Sequence, residues 1–166
     1  THFGIETREI DLSPVKEAMT AALSGVTELS DMGSANINPR LRMTTLYAVA
    51  ASENRLVAGT GNRSEAYLGY FTKWGDGAYD FNPIADLTVT EIYAFLRYLG
   101  CPECVITKAP SAGLFDGQTD ETETGISYAA LDRYLLTGVA SDEVIATIER
   151  MHGASEHKRR SVPTYR

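Results

Sequence analysis

The sequence predicts an α/β protein, read as a single domain over residues 1–166, and three observations carry that reading. Residues 5–12 (IETREIDL) alternate apolar and polar in the period of a strand. The apolar run 56–58 enters a glycine turn that opens a helix at 64–68, a strand–turn–helix unit. A further short apolar run at 105–106 separates stretches of helical period. A length of 166 residues suits one domain rather than two, and 43% apolar content can supply a core without staples. The formal net charge of −7 tells against a nucleic-acid binder, which would present a basic stripe to phosphate. No apolar run approaches the roughly 20 residues that span a bilayer, and the first residues lack a signal-peptide pattern. The expectation is a soluble cytoplasmic protein with no membrane partner.

The elements follow in order. Ser13 suits a helix N-cap with Pro14 at the first helical position, and Val15, Ala18, Met19, Ala22 and Leu23 continue at helical spacing, which predicts a helix over 14–24. The polar stretch 26–39 ends in Pro39 and reads as a loop or broken helix. Leu41, Leu46, Val49 and Ala50 then predict a helix over about 40–52, with Arg40 and Arg42 in its first turn. Cations there oppose the helix dipole, so they call for an acidic partner or an anionic ligand.

The turn Gly59-Thr60-Gly61-Asn62 could face backbone N–H groups toward an anion, yet the third glycine of a dinucleotide fingerprint falls on Ser64 and the pattern fails. Residues 72–86 have no period and many turn formers; a loop that long is uncommon unless it binds something. Thr88 and Glu91 form a capping box flanked by the staple pair Leu87 and Ile92, opening a helix that runs to about Leu99 and stops at Gly100.

Cys101 and Cys104 have no second pair to complete a zinc site and no helix start to activate a thiolate, so they read as small buried residues in a turn. Val105-Ile106 reads as a short buried strand. The acidic loop 116–123 does not match a calcium loop. Helices over about 127–136 and 142–152 are capped by Ser127 and Ser141. The last ten residues are basic, with Lys158, Arg159, Arg160 and Arg166.

Several separated strings occur in an order that resembles the ammonia-dependent NAD synthetases. They are Gly59-Thr60-Gly61-Asn62-Arg63-Ser64-Glu65, Gly69-Tyr70-Phe71-Thr72-Lys73-Trp74-Gly75-Asp76-Gly77, Lys108-Ala109-Pro110-Ser111-Ala112, Gly117-Gln118-Thr119-Asp120-Glu121, Gly125-Ile126 and Glu156-His157-Lys158-Arg159. The resemblance runs from about Asn36 to Arg160. It implies a Rossmann-like parallel sheet with flanking helices, of the ATP-pyrophosphatase or adenine nucleotide alpha-hydrolase-like kind, incomplete at the N-terminus and working as a homodimer. It also implies a reaction in which ATP adenylates the carboxylate of nicotinic acid adenine dinucleotide, pyrophosphate leaves, and ammonia displaces AMP to give NAD.

Carried over one at a time, Thr60 and Ser111 match ATP contacts and Glu65 matches a magnesium (Mg2+) ligand. Arg42, Lys73, Asp80, His157 and Lys158 match positions that hold the deamido dinucleotide. Without the resemblance Glu65 would be a first-turn dipole partner, Lys73 and Asp80 loop solvation, and His157 and Lys158 a frayed terminus.

Two departures from the family pattern carry expectations. The pyrophosphate-gripping string Ser-Gly-Gly-x-Asp-Ser occurs nowhere, so the chain is expected to be the C-terminal portion of a longer enzyme and inactive alone. Val89 stands where many members carry a lysine that reaches ATP phosphates, so Arg63 or Lys108 is expected to supply the cation. Loop 112–124 is expected to close as a lid. Two other readings compete: another ATP-pyrophosphatase amidating ligase, and a non-catalytic nucleotide-binding or dimerisation module.

Overall fold

A computed structural model describes residues 2–111, 117 and 119–165. The chain falls into two compact units, Thr1–Gly59 with Thr72–Phe81, and Thr60–Phe71 with Asn82–Arg166. Residues 112–116 and 118, a large part of the lid expected over 112–124, lie outside the described residues.

In the first unit, helices α1 (Ser13–Ser24) and α2 (Asp31–Ala35) both pack on α3 (Ile37–Ser52). The N-cap of α1 is Leu12, not Ser13. The Ser13 amide donates to Asp11 Oδ1 at 2.9 Å, which draws Ser13 into the first helical turn. The apolar stripe of α1 stays largely open: none of its residues is buried, and Val15 is 47% exposed.

The polar stretch after α1 is a broken helix. Ser30 Oγ accepts from the Gly33 amide at 3.1 Å to start α2, and α3 follows directly after Asn36. Pro39 is the third residue of α3 and is buried there; its missing N–H is one the first turn leaves unpaired in any case. The helix therefore begins earlier than its periodicity suggests, which moves Arg40 and Arg42 to its fourth and sixth positions.

The strand expected at 5–12 does not form. Alternation marks a surface that could pair, and pairing needs a neighbouring edge that no described residue offers it. Among the described residues the β-structure is a single parallel bridge between Ala58 and Phe81. Its bonds run from Gly59 N–H to Phe81 O at 2.7 Å and from Asp80 N–H to Val57 O at 2.9 Å.

The second unit holds α4 (Arg63–Leu68), α5 (Val89–Tyr98), α6 (Glu103–Ile106), α7 (Asp120–Thr124), α8 (Tyr128–Thr137), α9 (Asp142–Ala154) and α10 (Glu156–Arg159). Its core centres on Leu131 of α8 and Ile148 of α9, both 0% exposed, with Leu68, Val89, Ile126 and Tyr128 packed around them. α8 contacts α4, α5 and α9, so it is the axis on which this unit assembles. The predicted caps are in place: Thr88 with Glu91, Ser127 and Ser141 each bond the first turn of their helices.

Val105 and Ile106 belong to the single turn of α6 and not to a strand; a two-residue apolar run carries no period that could tell the two apart. Ile106 is buried while Val105 is half exposed. The cysteines also depart from expectation. Both are free thiols, Cys101 partly buried and Cys104 exposed on α6. No helix among the described residues is long and apolar enough to cross a membrane.

Candidate functional site

The turn after Gly59 is fixed by a capping box that sequence reading overlooked. Asn62 Oδ1 accepts from the Glu65 amide at 2.9 Å, and Glu65 Oε2 accepts from the Asn62 amide at 2.8 Å. The signal is present as Asn62-x-x-Glu65, two residues ahead of the helix start at Ser64 that the sequence predicts. Asn82 Nδ2 donates to Gly61 O at 2.7 Å and the Arg63 amide to Leu87 O at 2.9 Å, so the turn is pinned to the segment leading into α5.

Beside this turn lies a cavity of about 290 Å³. Asn62 and Glu65 form one wall, Val89, Ile92, Tyr93 and Leu96 of α5 an apolar one, and Val105 with Lys108, Ala109, Pro110 and Ser111 the third. An apolar surface flanked by one carboxylate, one ammonium and the hydroxyls of Tyr93 and Ser111 suits a ligand with a flat apolar part and a charged part.

The cavity brings Glu65 and Ser111 together. Thr60 is exposed and is not among its lining residues. The two candidate cations separate clearly. Arg63 sends its guanidinium to Leu135 O at 3.2 Å, whereas Lys108 lines the same cavity as Val89. Val89 itself is packed into the core.

Glu65 is the one residue that the sequence reading expects to hold a metal. Among the described residues no group of three or more His, Cys, Asp or Glu side chains is set to hold an ion. A single carboxylate on a cavity wall fits a hard cation that takes most of its oxygens from phosphate and water, and does not fit an all-protein cage.

The basic tail is docked and not frayed. Lys158 Nζ donates to Gly69 O at 2.7 Å and Phe71 O at 2.6 Å and lies 5.3 Å from the Phe71 ring centroid. Arg159 donates to Ser155 Oγ at 2.7 Å and to the His152 carbonyl. Ser155 Oγ bonds Leu68 O at 3.0 Å, and His152 stacks on Tyr67 with ring centroids 4.2 Å apart. His157 is exposed on α10.

Arg42, Lys73 and Asp80 belong to the first unit. Arg42 is exposed on α3. Asp80 is more engaged than loop solvation would be: Oδ2 accepts from the Val57 amide at 2.7 Å and Oδ1 lies 3.4 Å from the Tyr47 hydroxyl. The loop carrying Lys73 is anchored to the start of α3. Thr72 Oγ1 donates to Asn36 Oδ1 at 2.7 Å, Arg40 bonds Lys73 O at 3.3 Å, and a Cβ on Gly75 would lie 3.0 Å from Pro39 Cβ. Trp74, next in line, is held at φ +62°, which is strained for a bulky side chain, with the Lys73 ammonium 5.5 Å from its ring centroid.

Two buried carboxylates were missed in the sequence because nothing local marks them. Asp132, 2% exposed, accepts from Ser64 Oγ at 2.5 Å and from the Thr90 amide and hydroxyl at 2.7 and 2.6 Å, which joins α4, α5 and α8 at one point. Asp120, 3% exposed, accepts from the Tyr128 hydroxyl at 2.9 Å. Tyr70 donates to Glu123 Oε2 at 2.6 Å. Burial, then the neighbouring carboxylates, push both phenols well above the usual tyrosine range.

The NAD synthase family model matches residues 1–162. An NH3-dependent NAD+ synthetase from Carboxydothermus hydrogenoformans is 52% identical over 161 residues, covering 96% of this chain and 66% of that protein. The chain thus spans about two thirds of that relative's length. Among solved structures, an NMN synthetase from Francisella tularensis superposes with a TM-score of 0.94 at 40% identity, covering 99% of this chain and 68% of that one. An NAD+ synthetase from Burkholderia pseudomallei superposes at 0.72 with 37% identity, covering 90% and 58%.

Proposed function

Because the chain belongs to the NAD synthase family, we propose that it serves the ATP-dependent amidation of nicotinic acid adenine dinucleotide to NAD. Ammonia is the nitrogen donor, the carboxylate is activated as an acyl-adenylate, and AMP and pyrophosphate are released. The observation that carries this reading is the 52% identity over 161 residues to an NH3-dependent NAD+ synthetase.

The cavity beside α4 and α5 is the ATP site of this reading, with Thr60 at the strand-end turn and Ser111 and Lys108 on the opposite wall. Glu65 would hold Mg2+, which when bound neutralises charge building on the phosphate during adenylation. Lys108 supplies the cation that Val89 does not. Arg42, Lys73, Asp80, His157 and Lys158 hold the dinucleotide, and Lys158 does so by bracing the backbone at 69–71 that leads into the Lys73 loop. The parallel bridge at Ala58 and Phe81 supports a Rossmann-like parallel sheet of the ATP-pyrophosphatase kind. The family model running through both units supports one synthetase domain. A cytoplasmic homodimer completes the reading.

The test is turnover of the full-length protein, followed as AMP and NAD formed from ATP, ammonia and the deamido dinucleotide. Glu65→Gln should lower kcat by about a hundredfold or more, because a neutral amide is a poor Mg2+ ligand. Lys108→Met should raise the KM for ATP by about tenfold. No AMP from the unsubstituted protein, or full rates from Glu65→Gln at limiting Mg2+, would refute the assignment.

One observation favours a second reading. The backbone superposes on an NMN synthetase at 0.94 and on an NAD+ synthetase at 0.72, at similar identities of 40% and 37%. The same chemistry on the mononucleotide, nicotinic acid mononucleotide, would give NMN. The ratio of kcat/KM for the two deamido substrates decides: preference for the mononucleotide by tenfold or more, about 1.4 kcal/mol, would replace the first reading.

A further inference from the structure

Ser64 is fully buried, and its hydroxyl is a point where three helices meet. It donates to Asp132 Oδ1 of α8 at 2.5 Å and accepts from the Val89 amide, the first N–H of α5, at 3.3 Å. The other Asp132 oxygen, Oδ2, accepts the Thr90 amide at 2.7 Å and the Thr90 hydroxyl at 2.6 Å. These bonds tie the starts of α4 and α5 to the middle of α8, on which both helices pack. Asp132 is 2% exposed and takes part in no ion pair among the described residues. A carboxylate withdrawn from water and held by neutral donors costs desolvation, and what it returns when every partner is in place is rigidity.

The rigidity falls on the cavity. Ser64 immediately precedes Glu65, and Glu65 and Val89 stand on two of the cavity's walls. A serine side chain turns about a single bond, so fixing its Oγ fixes the backbone from which the next residue projects. The Glu65 carboxylate is held at one oxygen by the Asn62 amide, at 2.8 Å, and its backbone is held by the bonded Ser64. Arg63 also reaches α8, at Leu135 O, but through a long exposed side chain at 3.2 Å, whereas the Ser64 contact is short and buried. Asp132 itself does not line the cavity, so its effect there passes through the residues it bonds.

We propose that Asp132 is a positioning residue for the metal: acting through Ser64, it sets where the Glu65 carboxylate stands, and so how strongly Mg2+ is shared between that carboxylate and the ATP phosphates. The roles of Glu65 and of the cavity rest on the amidation reading above; the link from Asp132 to Glu65 rests on the bonds just described.

The experiment reads the factor by which Mg2+ tightens ATP binding, measured by calorimetry on the full-length protein with and without the ion, so no turnover is needed. Asp132→Asn keeps the side-chain volume but offers one acceptor oxygen where three donors stand. It should cut the Mg2+ factor about tenfold and leave Mg2+-free ATP affinity within about threefold, a split that a purely structural role would not produce. Ser64→Ala should cut the factor in the same way with Asp132 intact. Thr90→Val, which takes a different hydroxyl from the same carboxylate, should leave it within about twofold. In a Glu65→Gln protein, whose factor is already low, Asp132→Asn should change it by less than about twofold, because both substitutions act on one interaction. Ser141→Ala, which removes the cap of α9, should lower Tm and leave the factor unchanged.

A Mg2+ effect that Glu65→Gln removes but that Asp132→Asn and Ser64→Ala both keep would overturn the proposal and leave the reading of Glu65 standing. Additive losses in the double substitution would overturn it as well. Should Asp132→Asn fail to fold, the contrast between Ser64→Ala and Thr90→Val decides, and equal factors in those two overturn it. A Mg2+ factor left whole by Glu65→Gln, or none in the unsubstituted protein, would refute the metal reading of Glu65 and the proposal with it.

Discussion

Asp132 illustrates how one side chain can decide the geometry of three helices. Its two oxygens absorb three donors, the buried Ser64 hydroxyl and the partly buried amide and hydroxyl of Thr90, and Ser64, which it holds, is the neighbour of Glu65. Asp132→Ala would leave the Ser64 hydroxyl and the Thr90 amide without partners, each costing about 1–3 kcal/mol. We expect a urea midpoint lowered by about 3 kcal/mol or more in total, and a loss under 1 kcal/mol would mean water replaces the carboxylate. The phenols of Tyr70 and Tyr128 set a pH limit. Their folded pKa values are raised, so the folded state holds these protons when the unfolded chain, titrating near 10, has begun to release them. Stability is then fully present below about pH 10 and declines above it. Chemical denaturation between pH 9 and 11 should show that decline, roughly, and Tyr128→Phe should flatten it.

At the level of elements, the termini of the helices carry most of the local determination. Thr88 and Asn62 each satisfy an orphan N–H of the helix they open, and Thr88→Ala or Asn62→Ala should each cost about 1 kcal/mol. α4 ends at Gly69 with φ +69°, where a Cβ would overlap Cβ and Oγ of Ser155. Both the left-handed backbone and the contact exclude a side chain, so Gly69→Ala should displace the α9–α10 junction as well as destabilise it. Expected readouts are a Tm drop of several degrees, on the order of 2 kcal/mol, and faster proteolysis after Ser155. An unchanged Tm would show that the junction yields freely. α1 and α6 mark the other extreme, since neither is held by a side-chain cap.

For the whole molecule, burial is unevenly shared. α8 and α9 contribute Leu131 and Ile148 to the core of their unit, whereas α1 buries nothing. Local opening follows buried contact, so hydrogen exchange of the 166-residue chain should be slowest in α8 and α9 and quickest among the helices in α1. Protection of α1 equal to that of α8 would contradict this ordering. The open stripe of α1, with Met19 41% exposed, is apolar surface whose contribution to stability waits on a cover.

The sequence by itself determined the helices whose instructions are local. Thr88, Ser127 and Ser141 announce their caps within a four-residue window, and a hydroxyl three residues from an N–H needs no distant partner. The ordered strings around Glu65, Lys108 and the tail also sufficed to identify the family. Only tertiary structure decided the rest. Residues 5–12 alternate like a strand, but pairing depends on a second segment that one-dimensional pattern cannot supply. Val105-Ile106 is too short for its period to separate helix from strand. Lys108 and Arg63 look alike as cations in the sequence, and only the fold aims one along the cavity and the other at a helix carbonyl. The polar centres at Asp132 and Asp120 were invisible for the same reason. A buried carboxylate and an exposed one are the same letter, and what separates them is which donors the chain brings to them from as far as 68 residues away in the sequence.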